Sequence, residues 1–298
     1  MKRFLALSRT THAVLDIALP GFCALLWLGR LPDWPVLLIA LLTVFAAYTA
    51  VYALNDLVGV IGDKEKFNGG VNDGYSVEAS ELRYPLARDV LSCKAGWLWF
   101  GFWFLVALWG SYSLNLTILL ILAAAAMFEF LYCKLFKVTY LRVLVSGLVK
   151  SAGPVAAIFV VDHHPEPYLV LLIFAWVFFW EIGGQNIPAD WNDTVEDLRV
   201  NGKTIPIHFG TQKAGLMVVV ALGLTVFTSL FLPVISPISL GVPYLLASAM
   251  VGFLLLLKPG LRLYKQHQEG RLAARLFDNA SYYPLAQLVI LALFVIIK

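Results

Sequence analysis

Nine long apolar segments constrain the fold of this chain more than any other feature of its sequence. A helix of about 20 mostly apolar residues crosses the hydrocarbon core of a bilayer. The segments that approach this length lie near residues 13–30, 36–58, 96–113, 115–135, 141–161, 168–187, 214–232, 238–257 and 280–297. Because only helices satisfy their own backbone in lipid without closing a barrel, we predict an all-α, polytopic membrane bundle of about nine transmembrane helices. With no evident repeat or low-complexity linker, we expect one domain over residues 1–298.

The composition agrees with a membrane protein and argues against a nucleic-acid partner. Of the 298 residues, 60% are hydrophobic and 14% are charged, whereas soluble domains average about 25% charged residues. The formal net charge is only +3, and the Lys and Arg residues are scattered rather than gathered on one basic face. We therefore expect an integral multi-pass protein surrounded by the lipid bilayer, in the cytoplasmic (inner) membrane if the source is bacterial.

The distribution of Lys and Arg predicts which side of the membrane each loop faces. Nearly all of them lie in or beside the loops of one side, which are 1–12, 59–95, 136–140, 188–213 and 258–279. The connections on the other side carry only Arg30 and the terminal Lys298. The positive-inside rule then predicts a cytoplasmic N-terminus and an external C-terminus. The two long acid-bearing loops, 59–95 and 188–213, would open at the cytoplasmic mouth of the bundle.

Two groups of acidic residues follow the second and sixth apolar segments at that mouth. Asn55 and Asp56 close the second segment, and Asp63 lies two helical turns beyond Asp56 on the same face. Three more acids, spaced i, i+3 and i+7, follow the sixth segment: Asp190, Asp193 and Asp197. Carboxylates that converge repel one another unless cations lie between them, and oxygen ligands combined with substrate phosphate favour Mg²⁺. Solvated helix caps are the alternative interpretation of each group.

Cationic and polar side chains accompany the acids on the same side. Arg and Lys beside Mg²⁺ would suit a diphosphate, although they also set topology and contact lipid headgroups. The candidates are Arg83, Arg88, Lys134, Lys137, Arg199 and Lys203. Tyr132 lies beside Lys134, and Gln185 and Asn186 lie one turn before the second acidic group, so we expect these three to face the same cavity.

Four ionisable residues fall within the apolar segments themselves: Asp16, Glu129, Lys150 and Glu181. Such residues are costly inside a membrane and by default indicate function. For the three acids, a role in joining helices by hydrogen bonds remains the alternative. Lys150 lies about nine residues into its segment, deep enough that we expect a carboxylate partner.

These patterns together resemble the UbiA superfamily of intramembrane prenyltransferases. The N-D-x₆-D run from Asn55 and the D-x₃-D run of Asp193 and Asp197 resemble its two acidic motifs, and "NGKTIPI" resembles the continuation of the second. "RYPLA" at 83–87 and "LYCKLFK" at 131–137 are similar to two further family segments, and "LFDNASYYPL" is similar to its C-terminal region. The resemblance covers the whole chain, and nine spans is the family count.

The resemblance implies transfer of an isoprenyl chain from a polyprenyl diphosphate to a small aromatic acceptor of the quinone-pathway type, such as a hydroxybenzoate or a naphthoate. It implies catalytic acids at Asp56, Asp63, Asp193 and Asp197, which with Asp190 would bind Mg²⁺. The residues expected to bind substrate are Asn55, Arg83, Tyr132, Lys134, Lys137, Asn186 and Lys203.

Two departures from the family pattern bear on the chemistry. Gly59 stands where the first motif has its central Asp, so either Asp56 and Asp63 suffice or Glu65 or Asp73 supplies the missing ligand. Tyr84 stands where a second basic residue is often found, and the loop from 64 to 82 is long. These departures leave three alternatives: terpene cyclisation, prenyl transfer to a lipid or sugar phosphate, or a non-catalytic prenyl-lipid binder or transporter.

Overall fold

The structure is a computed structural model that describes residues 1–68, 84–267 and 270–297. Within these residues, nine helical stretches are long and apolar enough to cross a membrane, which confirms the predicted number of spans. The stretches are Thr10–Leu28, Trp34–Lys66, Cys93–Leu114, Leu116–Leu135, Arg142–Val161, Pro167–Asn192, Ile205–Ile235, Gly241–Lys265 and Gly270–Ile296. The predicted all-α membrane bundle is therefore confirmed, while its orientation in the membrane stays a prediction.

Several of these stretches consist of consecutive shorter helices. The α-helices are α1 (Lys2–Leu7), α2 (Thr10–Asp16), α3 (Ala18–Leu28), α4 (Trp34–Asn68), α5 (Cys93–Leu114), α6 (Leu116–Leu135), α7 (Arg142–Val161), α8 (Pro167–Trp180), α9 (Ile187–Asn192), α10 (Thr194–Arg199), α11 (Ile205–Ser229), α12 (Gly241–Gly252), α13 (Lys258–Lys265) and α14 (Gly270–Ile297). Two π-helical turns, Glu181–Asn186 and Phe253–Leu257, interrupt the sixth and eighth spans, and a 3₁₀ turn, Leu232–Ile235, ends the seventh.

Two helices extend further than the apolar pattern predicts. α4 continues to Asn68, so Asp56 and Asp63 lie on one helix, and Asp63 lies beyond the predicted end of the span at residue 58. α14 begins at Gly270 instead of near residue 280. In both cases the helix extends past the point at which the hydropathy of the sequence falls. Charged residues such as Lys and Glu are good helix formers, so a helix continues where its surroundings become polar.

The π-helical turn Glu181–Asn186 fits between α11 and α14 because of its two glycines. A Cβ atom on Gly183 would lie 2.9 Å from the Cβ of Ala221, and one on Gly184 would lie 2.9 Å from the Cβ of Ala280. Each glycine thus allows one neighbouring helix to approach closely. Gln185, between them and the acidic segment, donates to the carbonyl of Phe277 on α14 at 3.3 Å.

Buried aromatic side chains hold α8 to α14 beside this turn. Trp176 Nε1 donates to Tyr283 Oη at 3.1 Å, and Trp180 Nε1 donates to the carbonyl of Ala280 at 3.0 Å. Each buried donor therefore has its partner, which a lipid-embedded core requires. These contacts fix the backbone on which Glu181 and the second acidic group are carried.

Candidate active site

The first acidic group is anchored by an arginine that precedes the first span. Arg9 adopts a left-handed backbone conformation (φ 44°) between α1 and α2. Its Nη2 atom lies 3.0 Å from Oδ1 of the buried Asp56 and 3.3 Å from Oδ1 of Asn55. Because an unpaired buried carboxylate is strongly unfavourable, Arg9 holds the Asp56 charge in place.

Asn55 connects three elements at the head of the bundle. Besides accepting from Arg9, it donates through Nδ2 to Glu129 Oε1 on α6 at 2.6 Å. Glu129, expected from its depth to be functional or to join helices, therefore does the latter in this structure. The predicted role of Asn55 in substrate binding stays a prediction, although its side chain lines the central cavity described below.

Gly59 leaves room for the carboxylate of Asp63. A Cβ atom at position 59 would lie 3.1 Å from Asp63 Oδ2, so Asp63 leans back over the position at which the family motif has its central acid. Glu65, one proposed substitute, is paired with Lys137 at 3.0 Å near the surface. Asp73, the other, and Arg83 lie outside the described residues.

The second acidic group begins with a buried ion pair between Asp190 on α9 and Arg142 at the start of α7. The guanidinium carbon of Arg142 also lies 4.5 Å from the ring centre of Tyr132 and 4.8 Å from that of Phe136. Stacking of this kind suits a planar guanidinium that has left water. Asp190 is therefore neutralised by a protein cation.

Lys66 on α4 reaches the far end of the same group. Its Nζ atom lies 2.7 Å from Asp197 Oδ1, with the Lys66 side chain 13% exposed and that of Asp197 2% exposed. Burial raises the pKa of Asp197, and the Lys66 ammonium opposes that shift. Asp63 and Asp193 also interact electrostatically with Lys66, so carboxylates from both acidic groups act on this one ammonium.

These carboxylates fit a divalent cation in the kind of ligand atom they offer. Among the residues that the structure describes, no three acidic, His or Cys side chains are close enough to form a metal site by themselves. Mg²⁺, however, needs only one or two carboxylates when substrate phosphates and water complete its shell. The Lys66 ammonium marks a position at which acids from α4 and from α9–α10 stabilise a positive charge together. Asp63, Asp193 and Asp197 could hold Mg²⁺ there.

The other predicted site residues are only partly brought together. Asn186 donates through Nδ2 to Tyr132 Oη at 2.9 Å, beside the Arg142–Asp190 pair. Lys134 and Lys203 are exposed, and neither forms an ion pair with the acids in the described part of the chain. The Lys134 ammonium instead lies 5.3 Å from the ring of Phe130.

Three cations outside the predicted set form ion pairs with the acids in the described part of the chain: Arg9, Lys66 and Arg142. All three lie at the ends of spans, where Lys and Arg ordinarily indicate topology. Lys66 could have been recognised because it follows Asp63 by three residues, on the same helix face. Arg142 could have been recognised by its spacing of eight residues from Lys150, which is a repeat of two helical turns.

A cavity of about 420 Å³ runs from the acidic groups into the apolar interior. Residues adjoining both groups, Asn55 and Ala189, line one end, and Leu37 on α4 lines the other. The 18 residues of α4 between Asn55 and Leu37 correspond to about 27 Å of helix, which is most of a membrane crossing. Apart from the end near the acids, the walls are mainly Ala, Val, Leu and Ile from α3, α4, α6 and α7.

One face of α7 carries a polar side chain on each of three successive turns, and the second and third of these, Ser146 and Lys150, line this cavity. Arg142, Ser146 and Lys150 are spaced by four residues, and each pairs with an acid on another helix. Their partners in the same order are Asp190, Glu181 at 2.5 Å and Asp16 at 2.6 Å. The expected carboxylate partner of Lys150 is therefore Asp16. Tyr52 completes that contact by accepting from Lys150 at 3.1 Å and donating to Asp16.

Comparison with known families agrees with this geometry. The model of the UbiA prenyltransferase family matches residues 17–282. No curated protein matches the chain significantly.

Solved structures share the fold over nearly the whole chain. A UbiA homologue from Aeropyrum pernix K1 superposes with a TM-score of 0.73 at 17% identity, covering 96% of this chain and 97% of its own. A digeranylgeranylglyceryl phosphate synthase superposes with a TM-score of 0.70 at 18% identity, covering 100% and 99%. A UbiA homologue from Archaeoglobus fulgidus, bound to DMAPP and Mg²⁺, gives 0.68 at 15% identity, covering 97% and 99%. At these identities the likeness establishes the fold alone.

Proposed function

Because this chain belongs to the UbiA prenyltransferase family, we propose that it transfers a prenyl group from a prenyl diphosphate to an acceptor inside the membrane. The observation that supports this proposal most strongly is that a charged site and an apolar cavity lie side by side. Carboxylates and cations from α4, α7, α9 and α10 form a charged mouth, and a long apolar cavity begins directly beside it. A molecule with a diphosphate head and a hydrocarbon tail fits both.

Each part of the site has a distinct task in this reaction. Bound Mg²⁺ would neutralise the diphosphate as it leaves, and Asp63, Asp193 and Asp197 are the residues that would hold it. The A. fulgidus homologue bound to DMAPP and Mg²⁺ supports Mg²⁺ as the ion. Arg9 and Arg142 keep the buried Asp56 and Asp190 compensated, so that the net charge of the mouth does not repel the anionic donor.

The apolar cavity determines which molecule reacts with the allylic carbon, the prenyl carbon that was bonded to the diphosphate. Its walls hold the donor tail and exclude water, so that the electron-deficient carbon left by the departing diphosphate meets the acceptor instead of being hydrolysed. The aromatic faces of Tyr52 and Tyr132, which line the cavity near its charged end, are suited to stabilise such a carbon. Tyr52 also holds Lys150 and Asp16, and Tyr132 lies beneath the guanidinium of Arg142.

We infer that the acceptor is an aromatic hydroxy acid of the quinone-pathway type, such as a hydroxybenzoate or a naphthoate. The polar and aromatic side chains at the charged end of the cavity support an acceptor of this size and polarity. A second acceptor class is the hydroxyl group of a glycerol phosphate lipid, and the fold shared with a digeranylgeranylglyceryl phosphate synthase favours including it.

The test is a transfer assay on membranes that contain the protein. Membranes are incubated with Mg²⁺, a labelled prenyl diphosphate and a panel of aromatic hydroxy acids and glycerol phosphate lipids, and pyrophosphate and lipid products are followed by mass. Release of pyrophosphate together with a prenylated acceptor is the expected result. Pyrophosphate with only a hydrocarbon product would indicate cyclisation instead. Binding of the diphosphate without any pyrophosphate release would refute catalysis and indicate a binding role.

A further inference from the structure

Three residues that line the cavity each carry a buried oxygen atom with no hydrogen-bond partner among the described residues: Tyr48 Oη, Glu181 Oε2 and Asn186 Oδ1. Glu181 is 6% exposed and Asn186 is 5% exposed. A buried acceptor with no donor costs about 1–3 kcal/mol, and more when it is charged, so native structures contain few of them. The oxygens of Glu181 and Asn186 belong to one π-helical turn of the cavity wall, which points to a ligand as the source of their donors.

The π-helical turn explains why both atoms lie on one wall. In a π-helix the backbone bonds join residues five apart, so residues 181 and 186 stand above one another. Both side chains are already held on their other side. Ser146 Oγ donates to Glu181 Oε1 at 2.5 Å, and Asn186 Nδ2 donates to Tyr132 Oη at 2.9 Å. When Glu181 is ionised, its remaining oxygen and the amide oxygen of Asn186 both act as hydrogen-bond acceptors.

The other buried glutamate of the cavity provides a comparison. Glu129 is also 6% exposed and lines the same cavity. Its Oε1 accepts from Asn55 at 2.6 Å and from the Cys133 thiol at 3.7 Å, so this oxygen joins α6 to α4. Glu181 likewise uses one oxygen, which accepts from Ser146. Glu181 differs from Glu129 in that its second oxygen is fully buried and has no partner among the described residues.

The depth of Glu181 matches the reacting end of the donor. Ser146, its partner, lies one helical turn of α7 beyond Arg142, which pairs with Asp190 in the charged mouth. Lys150 lies one turn further, with its ammonium 5.6 Å from the ring centre of Trp180, the residue before Glu181. A diphosphate in the mouth would place the first carbon of the prenyl chain near this level.

We propose that Glu181 and Asn186 bind a hydroxyl group of the acceptor and that Glu181 accepts the proton of that group during transfer. This inference rests on the proposed prenyl transfer. The carbon–oxygen bond to the diphosphate breaks with its electron pair on the diphosphate, and the hydroxyl proton moves to Glu181 Oε2. In an alcohol, the electron pair freed on the oxygen forms the new bond to the prenyl carbon. In a phenol, that pair is delocalised into the ring, and a ring carbon forms the new bond to the prenyl carbon. The hydrogen on that ring carbon then moves to the phenol oxygen.

The first experiment measures binding with matched probes. In 4-methoxybenzoate a methyl group replaces the hydroxyl proton of 4-hydroxybenzoate. A prenylglyceryl phosphate and its O-methyl ether differ in the same way. We expect the wild-type protein to prefer the hydroxyl form of one pair by about 10- to 100-fold, the range for a hydrogen bond to a charged group. Glu181→Gln, which keeps the size and the Ser146 contact, should lose most of this preference. The pair that shows it identifies a phenol or an alcohol acceptor.

Two outcomes would overturn the proposal. One is an absence of hydroxyl preference in the wild-type protein for both probe pairs, and the other is an undiminished preference in Glu181→Gln. Asp33→Asn, at an 81% exposed position in the loop before α4, is the control for expression and folding.

The second experiment separates acceptor binding from donor binding. In Glu181→Gln, binding of a prenyl diphosphate in Mg²⁺ should stay within about twofold of wild type while prenyl transfer falls at least about 100-fold, the range of a general base. Asn186→Ala should raise KM for the acceptor more than it lowers kcat. Equal loss of donor and acceptor binding in Glu181→Gln would show a structural role. If the wild-type protein transfers no prenyl group, the proposed function fails, and the probe binding still decides whether these oxygens hold a hydroxyl.

Discussion

At the scale of single residues, the most informative side chain is Lys66. Its ammonium is placed where acids of two separate segments converge, on Asp197 and within the electrostatic reach of Asp63 and Asp193. A divalent cation bound by those acids would compete with it. Lys66 thus acts as a built-in counter-ion that keeps Asp197 compensated before substrate and metal arrive.

Replacing Lys66 by Gln should therefore strengthen metal binding. The variant keeps a hydrogen-bond donor for Asp197 but removes the competing charge, and we expect Mn²⁺ to bind about tenfold more tightly, the scale of one charged hydrogen bond. The measurement is a titration of free Mn²⁺ by electron paramagnetic resonance, with the exposed Lys94→Gln as control. Weaker Mn²⁺ binding in Lys66→Gln would contradict this role.

Gly59 leads to a second prediction at this scale. Gly59→Asp places a carboxylate one turn before Asp63, whose Oδ2 would lie 3.1 Å from the new Cβ and must rotate slightly. Like charges four residues apart on a helix cost a few tenths of a kcal/mol. We expect a slightly lower melting temperature without Mg²⁺, recovery when Mg²⁺ is added, and prenyl transfer within about threefold of wild type. A collapse of transfer would mean that a substrate needs the space above Gly59.

At the scale of elements, the sequence predicted the spans well and their ends poorly. Hydropathy reports where lipid ends, so it located all nine spans but stopped the second at residue 58, although α4 continues to Asn68. The two acidic groups were recognisable from helical spacing alone. Their ion pairs were not, because Arg9, Lys66 and Arg142 come from elements that only the folded bundle brings beside the acids. The π-helical turn carries no periodic signal that could have predicted it.

The close packing around the π-helical turn Glu181–Asn186 leads to a prediction about thermal stability. Gly184→Ala puts a Cβ atom 2.9 Å from the Cβ of Ala280, so α14 must shift, at a cost of about 1–3 kcal/mol. Gly223→Ala on α11, where a Cβ meets nothing within 4 Å, should be neutral or stabilising, since alanine favours helix by about 0.5–1 kcal/mol. Thermal unfolding in detergent compares the two. Equal melting temperatures would show that the turn is not tightly packed.

At the scale of the whole molecule, the fold joins a charged mouth to an apolar cavity that follows α4 for about 27 Å. Neither part alone indicates chemistry: isolated acids could be helix caps, and an isolated cavity could hold lipid. Their junction, lined by Asn55, Tyr132, Glu181 and Asn186, is what a donor with a charged head and an oily tail requires. The orientation of the bundle, with the mouth toward the cytoplasm, remains a prediction from the Lys and Arg distribution.

The central claim is that the acids of this mouth support Mg²⁺-dependent cleavage of a prenyl diphosphate, and pyrophosphate release tests it most directly. Labelled geranyl diphosphate, Mg²⁺ and the acceptor panel are added to membranes with wild-type protein, Asp56→Ala, Asp193→Ala or the exposed control Asp33→Ala. We predict release by the wild type and the control, loss of release on chelation of Mg²⁺, and at least about a 100-fold reduction in Asp56→Ala and Asp193→Ala while both still insert and fold. Full release by either acid variant would contradict the account.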